Sequence, residues 1–237
     1  MTGLRVYRSR RGDVEPHFDD FDVEVEAGAT VLDALLKIRR ENDPSLVVRH
    51  SCLHASCGTC GVRVDGLERL ACDTRLAHAA GGKPIRVEPL ANQHLVADLA
   101  TDMVDFYARL EPVGLPVLRT AETEVGTQPP EGIRSYVRFE NCIECGLCLS
   151  ACPVARLDGD FIGPAALAAA ERIVEEPRGR DVVTVLALAS EPDSAWRCRD
   201  AMECTAVCPS AVEPATALSR IRHRTAIDAA RRLFGRR

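Results

Sequence analysis

Apolar and polar residues alternate near the start of the chain. In Leu4-Arg5-Val6-Tyr7 and in Phe21-Asp22-Val23-Glu24-Val25 the apolar positions recur with the period of a strand that buries one face. The period then changes. Val31, Leu32, Leu35, Leu36 and Ile38 fall on one face of a helix running from Val31 to about Arg40, and the Thr30 hydroxyl stands where it can cap the first turn. Gly61-Val62-Arg63-Val64-Asp65-Gly66 predicts a strand entering a turn, and Pro84 to Leu90 predicts another short strand. Together these segments make a small, mostly β, α+β domain.

From Leu95 the pattern turns helical: Val96, Leu99, Met103, Val104, Phe106 and Leu110 predict a first long helix. A connector rich in Pro and Gly follows, with Pro112, Gly114, Pro116, Gly126, Pro129, Pro130 and Gly132. Beyond residue 140 helices dominate, at about Pro164 to Val174, Val182 to Ala189 and Pro214 to Phe234. The expected division is a domain of residues 1–97 followed by an α-helical domain of residues 98–237.

Composition narrows the function. Apolar residues are 46% of the 237 and charged residues 27%, which suits a packed core. A net charge of −5 and 4% aromatics argue against nucleic acid as a partner, since neither phosphate neutralisation nor base stacking is provided for. The N-terminus lacks the apolar stretch of a secretory signal. Ser9-Arg10-Arg11 looks like part of a twin-arginine signal, but Gly12-Asp13-Val14-Glu15 follows where apolar residues should stand. No apolar run approaches the ~20 residues of a membrane span. The eleven cysteines are the unusual feature. An odd number cannot be consumed by internal disulfides, and in a reducing compartment spaced cysteines more often bind metal.

Their spacing identifies the metal chemistry. Cys52, Cys57 and Cys60, with Cys72 after eleven further residues, have the plant-type [2Fe–2S] ferredoxin pattern. Small residues around them, Ala55, Ser56, Gly58 and Thr59, let backbone N–H groups approach the sulfurs. A zinc site would more often use two short pairs of cysteines. Cys52-Leu53-His54 has half of a Rieske pattern, but Cys60 stands where the second histidine would be needed, so His50 and His54 are read as polar loop residues. Cys142, Cys145, Cys148 and Cys152-Pro153 form the bacterial ferredoxin run, whose fourth cysteine ligates the other of two clusters. Cys198, Ala201, Cys204 and Cys208-Pro209 repeat it position for position, with alanine in place of the second cysteine. The crossing rule then gives a [4Fe–4S] cluster to Cys142, Cys145, Cys148 and Cys208. It leaves three thiolates, Cys152, Cys198 and Cys204, for a [3Fe–4S] cluster; a labile four-iron cluster with a non-protein ligand is the alternative. Four, four and three account for every cysteine.

These motifs resemble the iron–sulfur subunit of succinate dehydrogenase and fumarate reductase. The resemblance extends to Asp43-Pro44-Ser45-Leu46, His50-Ser51-Cys52, the stretch from Asp98-Leu99 to Phe106-Tyr107, and Phe161-Ile162-Gly163-Pro164-Ala165. It implies an N-terminal plant-type ferredoxin-like β-grasp domain and a C-terminal α-helical bacterial-ferredoxin-like domain. It also implies a wire of clusters that relays single electrons between FAD in a partner flavoprotein and a quinone at a membrane anchor of cytochrome b type. The chain would then lie peripherally on the cytoplasmic face of the inner membrane, held by the anchor, as a subunit of an oxidoreductase with no catalytic acid or base of its own. Leu157 and Arg199 stand where ubiquinone-using members carry a tryptophan and a histidine, and Ser210 replaces a frequent lysine, so menaquinone is the expected acceptor. The other reading is the iron–sulfur subunit of a thiol-linked fumarate reductase or glycolate-oxidase-like complex, against which Ala201 weighs. A free ferredoxin-like carrier is a third, disfavoured by length. The basic last helix, with Arg220, Arg222, Arg224, Arg231, Arg232, Arg236 and Arg237, reads as core-packed with a solvated charged face, or as an edge for anionic lipid. Arg8, Arg10 and Arg11 read as strand-edge or surface charge.

Overall fold

The computed structural model describes residues 1–10, 15–79, 83–114, 141–176, 179 and 182–235. Arg11 to Val14, the connector from Pro116 to Gly132, and Arg236 and Arg237 lie outside the described residues. The chain forms two compact units: Met1–Asp105 with Ile143–Ala151, and Phe106–Cys142 with Cys152–Arg237.

The first unit is built on a five-stranded sheet, ordered β2-β1-β5-β3-β4. The strands are β1 (Thr2–Arg8), β2 (His17–Val23), β3 (Gly61–Val64), β4 (Leu67–Leu70) and β5 (Ile85–Glu88). β1 runs antiparallel to β2 and parallel to β5, while β3 runs antiparallel to both β4 and β5. α1 (Val31–Glu41) and the short α2 (Leu76–Ala79) belong to the same unit; the Thr30 hydroxyl caps α1 as the sequence suggested, and the Asp33 side chain completes a capping box. Leu4, Val6, Ile85 and Val87 of the sheet and Leu32, Leu35 and Ile38 of α1 are almost completely buried. This is a β-grasp arrangement, with the second unit helical, as expected.

Three local expectations change. First, β2 starts at His17 and stops at Val23, so Glu24 and Val25 fall outside it. Second, the strand ending at Asp65-Gly66 returns at once as β4. Both turn residues have positive φ, 49° and 85°, the conformation that matches the twist of a two-residue hairpin. Third, the helix predicted from Leu95 begins only at Val104. Leu95–Ala97 (β6) and Ala100–Thr101 (β7) instead form a small hairpin, followed by α3 (Val104–Leu110).

Asp98 explains the last change. It turns the chain at φ 45°, is completely buried, and its carboxylate accepts from the Ser9 N–H at 3.1 Å and the Val47 N–H at 2.9 Å. It also accepts from Arg8 Nε at 3.2 Å. Arg8, read from sequence as strand-edge or surface charge, is 1% exposed. Its guanidinium also donates to Asp19 and Asp43, and to Ser45 Oγ. Hydrogen bonds from Ser45 and then Arg8 hold the Asp43 carboxyl down at about 2. A fork of five donors is what allows one cation to serve several carboxylates.

Ile143–Ala151 packs into this unit through polar contacts. Within it, α4 (Leu147–Ser150) ends on Asn92, whose amide donates to the Leu149 and Ser150 carbonyls at 2.8 and 2.9 Å. Ser150, fully buried, donates to Glu68 at 2.9 Å and accepts from the Ala91 N–H at 2.8 Å.

In the second unit, α5 (Pro153–Leu157) precedes α6 (Gly163–Glu175), α7 (Val182–Ser190), α8 (Glu203–Ala206) and α9 (Pro214–Phe234). α6 presents buried Ala165, Ala166, Ala168, Ala169 and Ala170, small residues that let helices approach closely. The basic helix α9 is not a free cationic face. Arg224 bridges Glu171 at 2.9 Å and Glu175 at 3.0 Å, Arg220 reaches Glu175, and Arg232 pairs with Asp228. Its apolar face is buried at Leu218 and Ile221, whereas Leu233 and Phe234 are exposed. No described helix is long and apolar enough to cross a membrane.

Arg8→Met is expected to destabilise the first unit by about 3–5 kcal/mol, because it strands the Asp98 carboxylate in the core. Arg8→Lys should recover only part of the loss. Chemical denaturation followed by far-UV circular dichroism checks both.

Candidate functional site

The first cysteine group sits on the loop before β3 and the turn after β4. Cys60 immediately precedes β3 and Cys72 follows β4. The hairpin pairs Gly61 with Leu70, and the Ala71 N–H donates to the Cys60 carbonyl at 3.0 Å. The cysteine that is distant in sequence is therefore brought back by a four-residue strand. Leu53 and Ala55 adopt left-handed φ of 64° and 62°. Backbone N–H groups in and beside the loop then point at sulfur: Ala55 to Cys72 Sγ at 3.3 Å, Ser56 to Cys52 Sγ at 3.4 Å, and Cys72 to Cys60 Sγ at 3.5 Å. These donors suit thiolates that bind iron, whose negative charge they stabilise. His54 hydrogen-bonds the Cys52 carbonyl and the Ser56 hydroxyl, a loop role as the sequence indicated.

The protonation tendencies of the bare sulfurs follow their surroundings. Burial pushes the Cys60 thiol up to about 12 and does the same at Cys204. Hydrogen bonds from the His54 backbone and then the Ser56 side chain bring Cys52 down to about 5. A metal takes the proton's place at such sulfurs. Among the described residues, no group of three or more His, Cys, Asp or Glu forms a site for a single metal ion.

The two ferredoxin runs share one backbone conformation. Glu144 and Gly146 have φ of 52° and 76°; Asp200 and Met202, at the matching places, have 54° and 63°. Each run then enters a four-residue helix, α4 and α8. Ala201 thus occupies the same local geometry as Cys145, with a methyl group in place of a thiol. Cys145 and Cys148 belong to the first unit, Cys142 and Cys208 to the second.

Cys152, Cys198 and Cys204 lie wholly in the second unit and line one cavity with Ala201. The cavity measures about 340 Å³ with its mouth, and Pro153, Phe161 and Pro164 are among its apolar walls. Three cysteines and the Ala201 methyl lining one cavity fit a sulfur-ligated group. Arg199 also lines this cavity, while Leu157 is 89% exposed and Trp196 is exposed beside the run.

Two residues beside this site were not assigned to it by the sequence. The Asp200 N–H donates to Cys198 Sγ at 3.4 Å, and Arg222 of α9 donates to both Asp200 carboxylate oxygens at 2.7 Å. The available signal was the acid two residues after the first cysteine in both runs, Glu144 and Asp200.

A plant-type cysteine loop on a β-grasp sheet, joined to a helical unit with paired ferredoxin runs, defines a multi-cluster electron carrier. Residues 3–108 match the 2Fe-2S iron-sulfur cluster binding domain and residues 138–212 the 4Fe-4S dicluster domain. The chain is 36% identical to the fumarate reductase iron-sulfur subunit of Mycobacterium tuberculosis, over 92% of this chain and 90% of that one. It is 32% identical to the succinate dehydrogenase iron-sulfur subunit of Paracoccus denitrificans, over 94% and 88%. Among solved structures, the Mycobacterium smegmatis Sdh1 complex in the apo form matches with a TM-score of 0.86 and 27% identity, covering 96% of each chain. The chain belongs to the family of succinate dehydrogenase and fumarate reductase iron–sulfur subunits. Its work is electron relay within an oxidoreductase, and its cofactors are [2Fe–2S], [4Fe–4S] and [3Fe–4S] clusters.

Gly58 has a specific steric duty. Its φ is +70°, and a Cβ there would lie 2.6 Å from the Ile143 carbonyl oxygen and 2.8 Å from Cys145 Cβ, all within the first unit. The loop carrying Cys57 and Cys60 can approach the Cys145 segment only without a side chain at this point. Gly58→Ala is expected to lower the melting temperature and the yield of [2Fe–2S] cluster, combining backbone strain of about 1–3 kcal/mol with the clash. Differential scanning calorimetry and EPR of the reduced protein measure the two losses separately.

Proposed function

We propose that the three clusters divide the eleven cysteines as four, four and three. The [2Fe–2S] cluster takes Cys52, Cys57, Cys60 and Cys72. The [4Fe–4S] cluster takes Cys142, Cys145, Cys148 and Cys208, and the [3Fe–4S] cluster takes Cys152, Cys198 and Cys204. By cofactor, residues 1–97 form the [2Fe–2S] domain and residues 98–237 the domain of the other two. The observation that carries this reading is the single cavity lined by Cys152, Cys198 and Cys204, with Ala201 standing where the first run has Cys145.

The complex that the chain serves contains a flavoprotein and a membrane anchor. A flavin exchanges electrons in pairs and the clusters carry them singly, so the chain's own task is to position, insulate and tune. In this reading the [2Fe–2S] end exchanges electrons with the partner's FAD and the [3Fe–4S] end with quinone. The subunit sits peripherally at the cytoplasmic face of the inner membrane, held by the anchor. Leu157 and Arg199, in place of tryptophan and histidine, support menaquinone as the acceptor.

EPR of the oxidised complex is expected to show a three-iron signal, and its absence would overturn the assignment of Ala201 as the missing ligand. Ala201→Cys should diminish that signal in favour of a four-iron cluster; an unchanged three-iron signal would count against the assignment. In turnover assays the purified complex should react faster with menaquinone analogues than with ubiquinone analogues. The opposite preference would remove the menaquinone reading and leave the ligand division untouched.

A further inference from the structure

Asp200 places its own N–H on a cysteine sulfur of the second run and binds Arg222 through both oxygens of its side chain. The N–H donates to Cys198 Sγ at 3.4 Å, while Arg222 Nη2 lies 2.7 Å from each carboxylate oxygen. Arg222 Nη1 also reaches the Cys198 carbonyl at 3.4 Å. One arginine from α9 thus clasps both ends of the turn that presents Cys198. The turn needs holding, because Asp200 and Met202 both have left-handed φ without being glycine.

The charges at this clasp also matter. A carboxylate beside a cysteine ligand opposes the electron that reduces the cluster; a guanidinium favours it. With Arg222 paired to Asp200, the two formal charges cancel beside Cys198. Arg222 retains 22% of its side-chain exposure and Asp200 51%, so solvent screens the pair and moderates each charge.

We propose that Asp200 and Arg222 are positioning residues for the cluster held by Cys152, Cys198 and Cys204, and that their mutual neutralisation sets its reduction potential. The proposal rests on the ligand division given above. It adds a tuning device made of two side chains outside the proposed ligand set.

The test is an EPR-monitored redox titration of the three-iron signal in the intact complex. Asp200→Asn keeps the side-chain shape, removes the negative charge and should raise the potential. Arg222→Met should lower it. Each shift is expected to be about three- to tenfold in the reduction equilibrium, where tenfold corresponds to about 59 mV for one electron. The double variant should return close to the wild-type value. Shifts of the same sign in both single variants would overturn the proposal in favour of a purely structural clasp. An intact signal with an unmoved or lowered potential in Asp200→Asn would overturn it even if the arginine variant failed to assemble. Absence of the three-iron signal from the wild-type complex would instead overturn the ligand division, and the proposal with it.

Discussion

Backbone N–H groups aimed at cysteine sulfur are the interaction on which the rest of this structure depends. A thiolate that binds iron stays electron-rich, and hydrogen bonds to it stabilise that charge. The segments that aim N–H groups at these sulfurs pass through left-handed conformations. Leu53, Ala55, Glu144, Asp200 and Met202 all adopt them. Each such residue costs of order 1–3 kcal/mol and persists only where its surroundings over-determine it. The regular elements supply those surroundings. The β3–β4 hairpin locks Cys60 to Cys72, Asn92 and Ser150 hold the end of α4, and Arg222 clasps the turn at Cys198.

Much of this architecture was legible in the chain because it depends on local periodicity or fixed spacing. The Thr30-capped helix, strands β1, β3 and β5, and helices α6, α7 and α9 follow from short-range pattern. The cysteine groups follow from ligand geometry, which allows few spacings. What escaped was set by long-range partners. Arg8 looks like a surface cation until Asp19, Asp43 and Asp98 arrive, and those lie 11, 35 and 90 positions away. Asp98 likewise belongs to a run with helical spacing, yet its buried hydrogen bonds to Ser9, Val47 and Arg8 turn the backbone into a hairpin. Tertiary hydrogen bonding to a buried carboxylate outweighs a period carried by a few apolar side chains.

The same limit explains α9. Its arginines form a stripe in sequence, but a stripe says nothing of what faces it. Glu171 and Glu175 of α6 and Asp200 of the turn before α8 take up Arg220, Arg222 and Arg224. Among the described arginines of α9, most of the positive charge is committed within the unit. Helix packing and the electrostatics of the Cys198 turn are thereby joined on one element: the helix that buries Leu218 and Ile221 in the core also carries the cation at Asp200.

The two ferredoxin runs show how little of a cluster's character needs to reside in the fold. Their left-handed positions coincide, their short helices coincide, and both end in Cys-Pro. Met202 even keeps the conformation that Gly146 adopts freely, accepting strain so that the backbone path is preserved. Against that constancy, the substitution of a thiol by the methyl of Ala201 stands out as a change of chemistry without a change of shape. If the backbone path had relaxed around alanine, the lost ligand could be read as decay of the site. Its retention, strained residue included, means that the surrounding sulfurs and N–H donors remain arranged for a cofactor. The number of irons is then decided at one side chain, while the scaffold around it remains that of a four-cysteine site.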